Sequence, residues 1–139
     1  MHIHPFQDAD EPAMIALRHL CGLARPWNNP ARDIARKRTV QRDLFLVGEA
    51  DGQVIASVMF GYDGHRGGVN YLAVAPGWQR RGLARRLMAE GETRLTALGC
   101  PKPSLQVRTG NTRALDFYRR LGYATDDAVS MDKRLIADK

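Results

Sequence analysis

The sequence is poor in the residues that build disulfides and metal centres. It has two cysteines, Cys21 and Cys100, which are far apart and fit no metal-ligand spacing. Its four histidines form no zinc-like set either. We therefore expect neither a disulfide nor a structural or bound metal.

Long apolar runs are also missing. No segment approaches the roughly 20 apolar residues of a membrane-spanning helix, and Met1–Phe6 lacks the basic-then-apolar pattern of a signal peptide. These absences predict a cytoplasmic protein without a membrane partner. With 139 residues, 44% of them hydrophobic and 26% charged, the chain has the size and balance of a single domain over residues 1–139.

A nucleic-acid partner is disfavoured, although the formal net charge is +6. Aromatic residues make up only 7% of the chain, and its basic residues are scattered. The densest basic run outside the central region, Arg36–Arg38, shares its segment with Asp33 and Asp43. A solvated helix face explains that run as well as a phosphate track would. We expect no nucleic acid, and a basic nucleic-acid binder is the weakest alternative.

The most informative stretch runs from Val69 to Leu98. It begins with the apolar, β-branched and aromatic run Val69–Ala75, which predicts a buried strand. Pro76-Gly77 breaks that strand. The period then changes to that of a helix, which Gly99 and Pro101 end. One face of this predicted helix carries four leucines: Leu83, Leu87, Leu95 and Leu98.

The loop Gln79–Ala84 joins that strand to the helix and predicts an anion site. Backbone N–H groups and the positive end of the helix dipole meet there, and Gly82 lets a ligand approach the backbone. Four arginines ring the same end, and no carboxylate occurs between Gly64 and Ala89. A phosphate or pyrophosphate is therefore the expected ligand. Because such glycines and arginines are common at helix ends, the prediction also depends on the downstream segment that begins at Asn111. The four arginines are Arg80, Arg81, Arg85 and Arg86.

The other elements follow from periodicity, caps and turn residues. Asp51-Gly52 between two apolar runs is a strong hairpin signal, and Asn29-Pro30 is typical of a helix start. Gly61–Gly68 is interpreted as a turn. Asn111 is a candidate helix cap and Gly122 a helix end. The predicted strands are Ile3–Phe6, Leu44–Ala50, Val54–Phe60, Ser104–Thr109 and Ser130–Ile136; the predicted helices run from Asp8 or Asp10 to about Cys21, from Pro30 to about Gln41, and from Asn111 to Gly122 with Ala114, Leu115, Phe117 and Leu121 facing the core.

Three features in one order carry a resemblance. A strand leads into a Gln-x-x-Gly-x-Ala loop and helix, another strand follows about twenty residues later, and the helix after it reads Asn111-x-x-Ala114-x-x-Phe117-Tyr118-x-x-Leu121-Gly122-Tyr123. This resembles the GNAT superfamily of N-acetyltransferases over nearly the whole chain. The resemblance implies an α/β fold: a twisted, mostly antiparallel sheet with helices on both faces.

Three short segments look closer still to a small bacterial subgroup, the YpeA-like acetyltransferases. They are Arg25-Pro-Trp-Asn, Gly61-Tyr-Asp-Gly-His-Arg-Gly and Gly99-Cys-Pro-Lys.

The resemblance implies how acetyl-CoA is bound as the co-substrate. The strand would bulge and splay so that its backbone binds pantetheine and polarises the thioester. The loop would hold the pyrophosphate through its amides, Asn111 would reach the pantetheine arm, and Tyr118 would lie at the CoA sulfur. The strand residues are Leu72, Ala73 and Val74, and the loop residues are Gln79, Arg80, Arg81, Gly82, Leu83 and Ala84.

Tyr118 is the expected catalytic residue. A phenol with an ordinary pKa of about 10 suits protonation of a thiolate whose thiol has a pKa of about 8.5. The base is open between Glu49, Asp63, His65 and water, because the central strand begins with Gly67-Gly68 where some family members carry a glutamate. Direct transfer is preferred to an acyl-cysteine intermediate. Tyr118 as a plain helix-surface residue is the alternative.

The expected function is transfer of acetyl from acetyl-CoA to a primary amine on a small molecule or a protein. The acceptor pocket is expected at Arg25, Trp27, Asn28, Asp63 and His65, although a lone Trp27 is more often a plug at the edge of a core. Another acyl-CoA and a non-catalytic acyl-CoA sensor are the alternatives. A homodimer is left open.

Overall fold

The computed structural model describes residues 1–138, and they form two compact units. The first comprises Met1–Leu105 together with Asp138, and the second comprises Gln106–Ala137. The expectation of a single domain stays a prediction. Across these described residues, no helix has the length and apolarity needed to cross a bilayer.

The first unit is built on a five-stranded sheet. Its strands lie in chain order, each beside the next. The first four are antiparallel, whereas β4 and β5 are parallel. This confirms the mostly antiparallel sheet. The strands are β1 (His2–Pro5), β2 (Phe45–Ala50), β3 (Gln53–Tyr62), β4 (Gly67–Val74) and β5 (Pro103–Ser104).

Three helices belong to this unit: α1 (Glu11–Leu20), α2 (Pro30–Lys37) and α3 (Leu83–Ala97). The start of α2 is the one predicted from Asn29-Pro30, because the Asn29 side chain accepts the Arg32 N–H at 3.2 Å. The second unit contains α4 (Thr112–Arg120).

The helices cover both faces of the sheet. Successive residues of a strand point to opposite faces of the sheet. The side chains of Met59 and Phe60 in β3 therefore lie in two different cores, one on each face. Phe60 lies against α3, where its ring leaves no room for a Cβ at Gly91. The other core contains Met59 with residues of α1, α2, β2 and β4: Met14, Leu17, Ile34, Phe45, Val47 and Ala73.

Gly91 brings α3 close to the sheet. A Cβ built there would lie 1.9 Å from the Phe60 ring. Glycine inside a helix costs about 1 kcal/mol relative to alanine. The aromatic ring that packs into the vacated space offsets that cost.

The prediction of a helix to Gln41 was wrong by about one turn. The helix α2 ends at Lys37, and Gln41 has a left-handed backbone with φ +50°. The Gln41 side chain bonds both backbone groups of Tyr62, at 2.8 and 2.9 Å. They satisfy the Tyr62 backbone on one side, and Tyr62 pairs with Gly67 of β4 on the other. The predicted loop Gly61–Gly68 therefore shrinks to residues 63–66 between β3 and β4.

Two strand predictions near the carboxyl end were wrong. Only Pro103–Ser104 pairs as β5, so the predicted strand Ser104–Thr109 is largely absent, and Ser130–Ile136 forms no strand within the described range. Residues 130–136 are exposed. A strand needs a hydrogen-bonded neighbour, which alternation in a sequence does not supply. The four α4 residues predicted to face a core are only partly buried.

Candidate active site

The strand β4 contains a bulge close to its carboxyl end. Asn70 pairs with Met59 and Ala73 pairs with Ser57, so two residues of β4 stand opposite one residue of β3. Tyr71, inside the bulge, has φ +55°. The resemblance implied a bulge around Leu72–Val74, and the observed irregularity begins one residue earlier.

The other edge of β4 opens after its first two residues. Within the first unit, the parallel ladder pairs Gly67 with Pro103 and Gly68 with Ser104 only. Because the Ala75 N–H bonds to Ile55 of β3, alternation directs the backbone groups of Val74 to the opposite, outer side. The end of β4 therefore presents backbone polar groups at an edge.

The Val74 carbonyl at this edge has two donors. The Gln79 side-chain amide reaches it at 3.0 Å and the Cys21 thiol at 3.4 Å. The Gln79 contact ties the strand end to the loop that follows it. Burial raises the pKa of the Cys21 thiol, which keeps it protonated and makes it a poor nucleophile.

The loop before α3 is shaped by two left-handed residues. Arg80 has φ +65° and Gly82, at the N-cap position, has φ +76°. The first intrahelical bond runs from the Arg86 N–H to the Gly82 carbonyl at 3.2 Å. Among residues 1–138, no side chain caps this helix. The amides of Leu83, Ala84 and Arg85 thus have no intrahelical acceptor and point out of the helix start.

Positive charge surrounds those amides. Arg81 bonds the Gly77 carbonyl at 3.3 Å and its guanidinium lies 4.8 Å over the Trp78 ring. Arg86 bonds the Met1 carbonyl at 3.0 Å. Arg80 and Arg85 are exposed. The space around Gly82 is open, because within residues 1–138 and apart from the adjoining backbone, nothing would lie within 4 Å of a Cβ there.

The second unit contains Asn111 and Tyr118. The side-chain oxygen Oδ1 of Asn111 caps α4 by accepting the Ala114 N–H at 3.2 Å, so the side-chain amide nitrogen is not used by the cap. Tyr118 is half-buried between Phe117 and Tyr123, whose ring centres lie 5.1 and 5.8 Å away. Burial raises the pKa of the Tyr118 phenol, which therefore stays protonated at neutral pH.

Three acceptor-site candidates lie on the turn before α2. The Asn28 N–H bonds the Arg25 carbonyl at 3.0 Å, which places Trp27 at the tip of the turn. Trp27 is 51% exposed, so it does not plug a core. Arg25 lines a pocket of about 480 Å³ between α1 and α2, whereas Trp27 and Asn28 do not line it.

The other two acceptor-site candidates lie on the β3–β4 turn. One Asp63 oxygen accepts the His65 and Arg66 N–H groups, both at 2.8 Å. These bonds hold the pKa of the Asp63 carboxyl below its usual range. Asp63 thus shapes the turn and is a weak base. It lines a pocket of about 540 Å³, which His65 does not.

The 540 Å³ pocket also contains Lys37, which no sequence motif indicated. Its amine donates to the Phe60 carbonyl at 2.6 Å, and burial lowers the pKa of the Lys37 ammonium. The paired residues Gly61 and Gly68 belong to the same pocket. From the sequence, Lys37 was expected on a solvated helix face. Its contact with Phe60 joins residues far apart in the chain, so helical spacing did not indicate it.

Glu49, the remaining base candidate, lies in β2 and pairs with His4 at 3.9 Å. These two and Asp10 bring their ligand atoms within 4.8 Å of one another, a proximity that sequence spacing did not indicate. Asp10 already accepts the Gln7 N–H at 2.9 Å. The helix-start hydrogen bond of Asp10 and the contact between His4 and Glu49 account for the group. The expectation of no metal stays a prediction.

Comparison with known proteins shows which family the sequence matches. The Acetyltransferase (GNAT) family matches residues 11–123. An acetyltransferase of Pectobacterium atrosepticum is 46% identical over 139 residues, covering 100% of this chain and 99% of its own. An acetyltransferase of Yersinia enterocolitica is 45% identical with the same coverage.

Solved structures share the fold. An aminoglycoside 6'-N-acetyltransferase from Acinetobacter haemolyticus superposes with a TM-score of 0.73 at 21% identity, over 98% of this chain and 99% of that one. An AAC(6')-Iy structure in complex with a CoA bisubstrate analogue gives 0.78 at 18% identity, over 97% and 98%.

Proposed function

Since the chain belongs to the GNAT acetyltransferase family and is an acyltransferase, we propose that it transfers acetyl from acetyl-CoA directly to a primary amine. One observation carries the proposal: an uncapped, arginine-ringed helix start directly follows a bulged strand with an open edge. The CoA analogue named in the AAC(6')-Iy structure supports the same co-substrate.

The loop Gln79–Ala84 is the proposed pyrophosphate site. The amides of Leu83 and Ala84 point from the positive end of the α3 dipole, and Gly82 leaves space above the backbone. Arg80 and Arg81 add charge at the same end. The Gln79 side chain, which bonds Val74, contributes by fixing the loop to the strand.

The edge of β4 is the proposed pantetheine site. Leu72 and Val74 would bind the amides of the arm as a neighbouring strand would, because their alternation directs backbone groups outward. Ala73 is buried and paired with Ser57, so its contribution is to hold the strand. Asn111 would donate to a pantetheine carbonyl from the amide nitrogen that its cap does not use.

The chemistry needs three proton movements. The acceptor ammonium first loses one proton. The neutral nitrogen then forms the new N–C bond, the thioester C–S bond breaks, and the nitrogen loses a second proton, which replaces the one that the departing thiolate gains. A backbone N–H of the β4 bulge would stabilise the oxyanion, and Tyr118 would protonate the departing thiolate. Because one Asp63 oxygen is held by two amides and Glu49 pairs with His4, water is the proposed base.

The acceptor is proposed to enter through the pockets lined by Arg25 and Asp63, with Trp27 beside the first. Asn28 would hold the turn that carries Trp27, and His65 would hold the turn at Asp63. Whether the amine belongs to a small molecule or a protein is the question for a screen.

A screen of amines that follows CoA release, run with Tyr118→Phe, tests the enzyme and its acid together. The variant keeps the ring and removes the hydroxyl. We expect kcat to fall by roughly a hundredfold while the acetyl-CoA Kd changes little, because the proton is needed mainly in the transition state.

Because burial raises the pKa of the Tyr118 phenol, the wild-type kcat should fall through loss of the phenol proton only above about pH 10, the ordinary pKa of a tyrosine. The kcat of the Tyr118→Phe variant should show no such decrease. A lower affinity with unchanged kcat would assign Tyr118 to binding instead. Tight acetyl-CoA binding without turnover of any amine would favour the sensor, which the absence of a carboxylate at Gly67-Gly68 supports.

A further inference from the structure

A buried arginine lies under the bulge of β4. Arg18 of α1 is 1% exposed, and its guanidinium packs 4.3 Å from the centre of the Tyr71 ring. One of its terminal nitrogens bonds Asp33 of α2 at 2.7 Å, and the other contacts the Met59 sulfur at 3.6 Å. Arg18 therefore joins both amino-terminal helices to the sheet.

These contacts meet at one irregularity of the sheet. Met59 is the residue of β3 at which the register shifts, and Tyr71 is one of the two β4 residues opposite Val58. Arg18 thus touches the bulge from both strands.

Tyr71 needs such support. Its φ of +55° lies in the left-handed region, which is strained for a bulky side chain and persists only where the surroundings hold it. Glycine would adopt this conformation freely. The planar guanidinium over the Tyr71 ring, anchored by Asp33, is a direct means of holding it.

Stability alone does not explain Arg18. Burial of a cation is costly, and a buried ion pair often stabilises a fold less than apolar side chains of similar volume would. Arg18 has one carboxylate partner, and its Nε has no hydrogen-bond partner within residues 1–138. Its neighbours in α1, Met14 and Leu17, fill the same core with apolar groups.

We propose that Arg18 is a positioning residue: it holds Tyr71 in its left-handed conformation and thereby sets the bulge that presents Leu72–Val74 to acetyl-CoA. The effect on ligand binding rests on the proposed function. The effect on the bulge itself does not.

A rescue experiment separates this role from ordinary packing. Arg18→Met removes the charge and the planar group and keeps an extended side chain. We expect it to weaken acetyl-CoA binding roughly five- to a hundredfold, the range that corresponds to the strain of one left-handed residue. Adding Tyr71→Gly should restore most of that loss, because glycine adopts the conformation without support.

Packing alone predicts the opposite result. If Arg18 only fills the core, Tyr71→Gly removes further packing beside it, and the double variant should bind no more tightly than Arg18→Met alone. That outcome would overturn the proposal. Arg18→Lys provides a second test if Arg18→Met does not fold, because it keeps the charge beside Asp33 but has no planar group for Tyr71. Full affinity in Arg18→Lys would also overturn the proposal.

Two readouts and one control complete the design. Calorimetric titration gives the acetyl-CoA Kd, and amide hydrogen exchange reports the opening of Leu72–Val74 without any ligand. Met14→Ala, a buried change in the same helix, should lower stability without faster exchange confined to those amides. Wild type that fails to bind acetyl-CoA would refute the proposed function. Exchange at Leu72–Val74 equal to wild type in Arg18→Met would refute the role of Arg18.

Discussion

The first turns of α2 and α3 both contain backbone N–H groups that have no intrahelical acceptor, and the two helices differ in what surrounds these groups. At α2, the Asn29 side chain accepts an N–H of the first turn and Asp33 adds negative charge there. At α3, Gly82 has no side chain to offer, no acidic residue lies in the first turn, and arginines surround it. One helix start is capped by its own sequence, and the other has no side-chain cap.

On this difference rests our proposal that the α3 start binds a ligand whereas the α2 start is structural. A helix N-terminus alone is common and predicts little. Unsatisfied amides that are also ringed by cations cost stability in the empty protein, and a bound anion offsets both costs. This is why the α3 start, and not the capped α2 start, is the proposed cofactor site.

The largest expected effect comes from placing a carboxylate at the start of α3. Asparagine and aspartate both tolerate the left-handed backbone better than other side chains, so Gly82→Asn and Gly82→Asp should carry similar strain. The aspartate should bind acetyl-CoA roughly a hundredfold more weakly than the asparagine, because it places a like charge beside the pyrophosphate. Calorimetric titration of the two variants checks this. Equal affinities would remove the anion site from this loop.

A smaller effect is expected from the arginines. Arg80→Ala and Arg81→Ala should each weaken acetyl-CoA binding about two- to fivefold, because exposed charges near a helix end contribute modestly. The loss should shrink at high salt, where exposed charges are screened. Titrations at two ionic strengths measure it. A loss that does not respond to salt would mean that the arginines act through loop conformation, which the contacts of Arg81 with Gly77 and Trp78 could transmit.

The smallest effect on binding should come from the capped helix. Asn29→Ala should lower the free energy of unfolding by about 1 kcal/mol, the usual contribution of such a cap, and leave the acetyl-CoA Kd unchanged. Chemical denaturation and titration of one preparation give both values. An affinity loss as large as that of the arginine variants would show that α2 also serves the cofactor.

The hairpin and the central helix could be predicted because their signals are local. Asp51 and Gly52 both have positive φ, at 52° and 73°, and they close the two-residue turn that their sequence indicated. The break at Pro76-Gly77 and the buried Leu83, Leu87 and Leu95 likewise lie within one stretch of chain. The fourth predicted leucine, Leu98, is 50% exposed and lies just beyond α3. The uncapped helix start was visible for the same reason.

The bulge and its support could not be predicted from residues alone. Nothing in the letters around Tyr71 indicates a positive φ, since an aromatic residue in an apolar run is typical of a regular strand. The cause lies in Arg18 and Asp33, far away in sequence, and tertiary contacts of this kind override local preference. The strand prediction for Ser104–Thr109 was wrong for a related reason. The alternation of apolar and polar residues there does not indicate whether a neighbouring strand is available for pairing.

Gly91 and Gly82 lie in the same stretch of chain and would respond differently to random variation of the sequence. At Gly91 the backbone is helical and the Phe60 ring occupies the space, whereas at Gly82 the space is open and the backbone is left-handed. Larger residues at position 91 should therefore be lost from a library selected for soluble protein alone. Variants of position 82 should largely survive that selection and disappear only when acetyl-CoA binding is selected, so the two surviving populations would map the fold and the cofactor site separately.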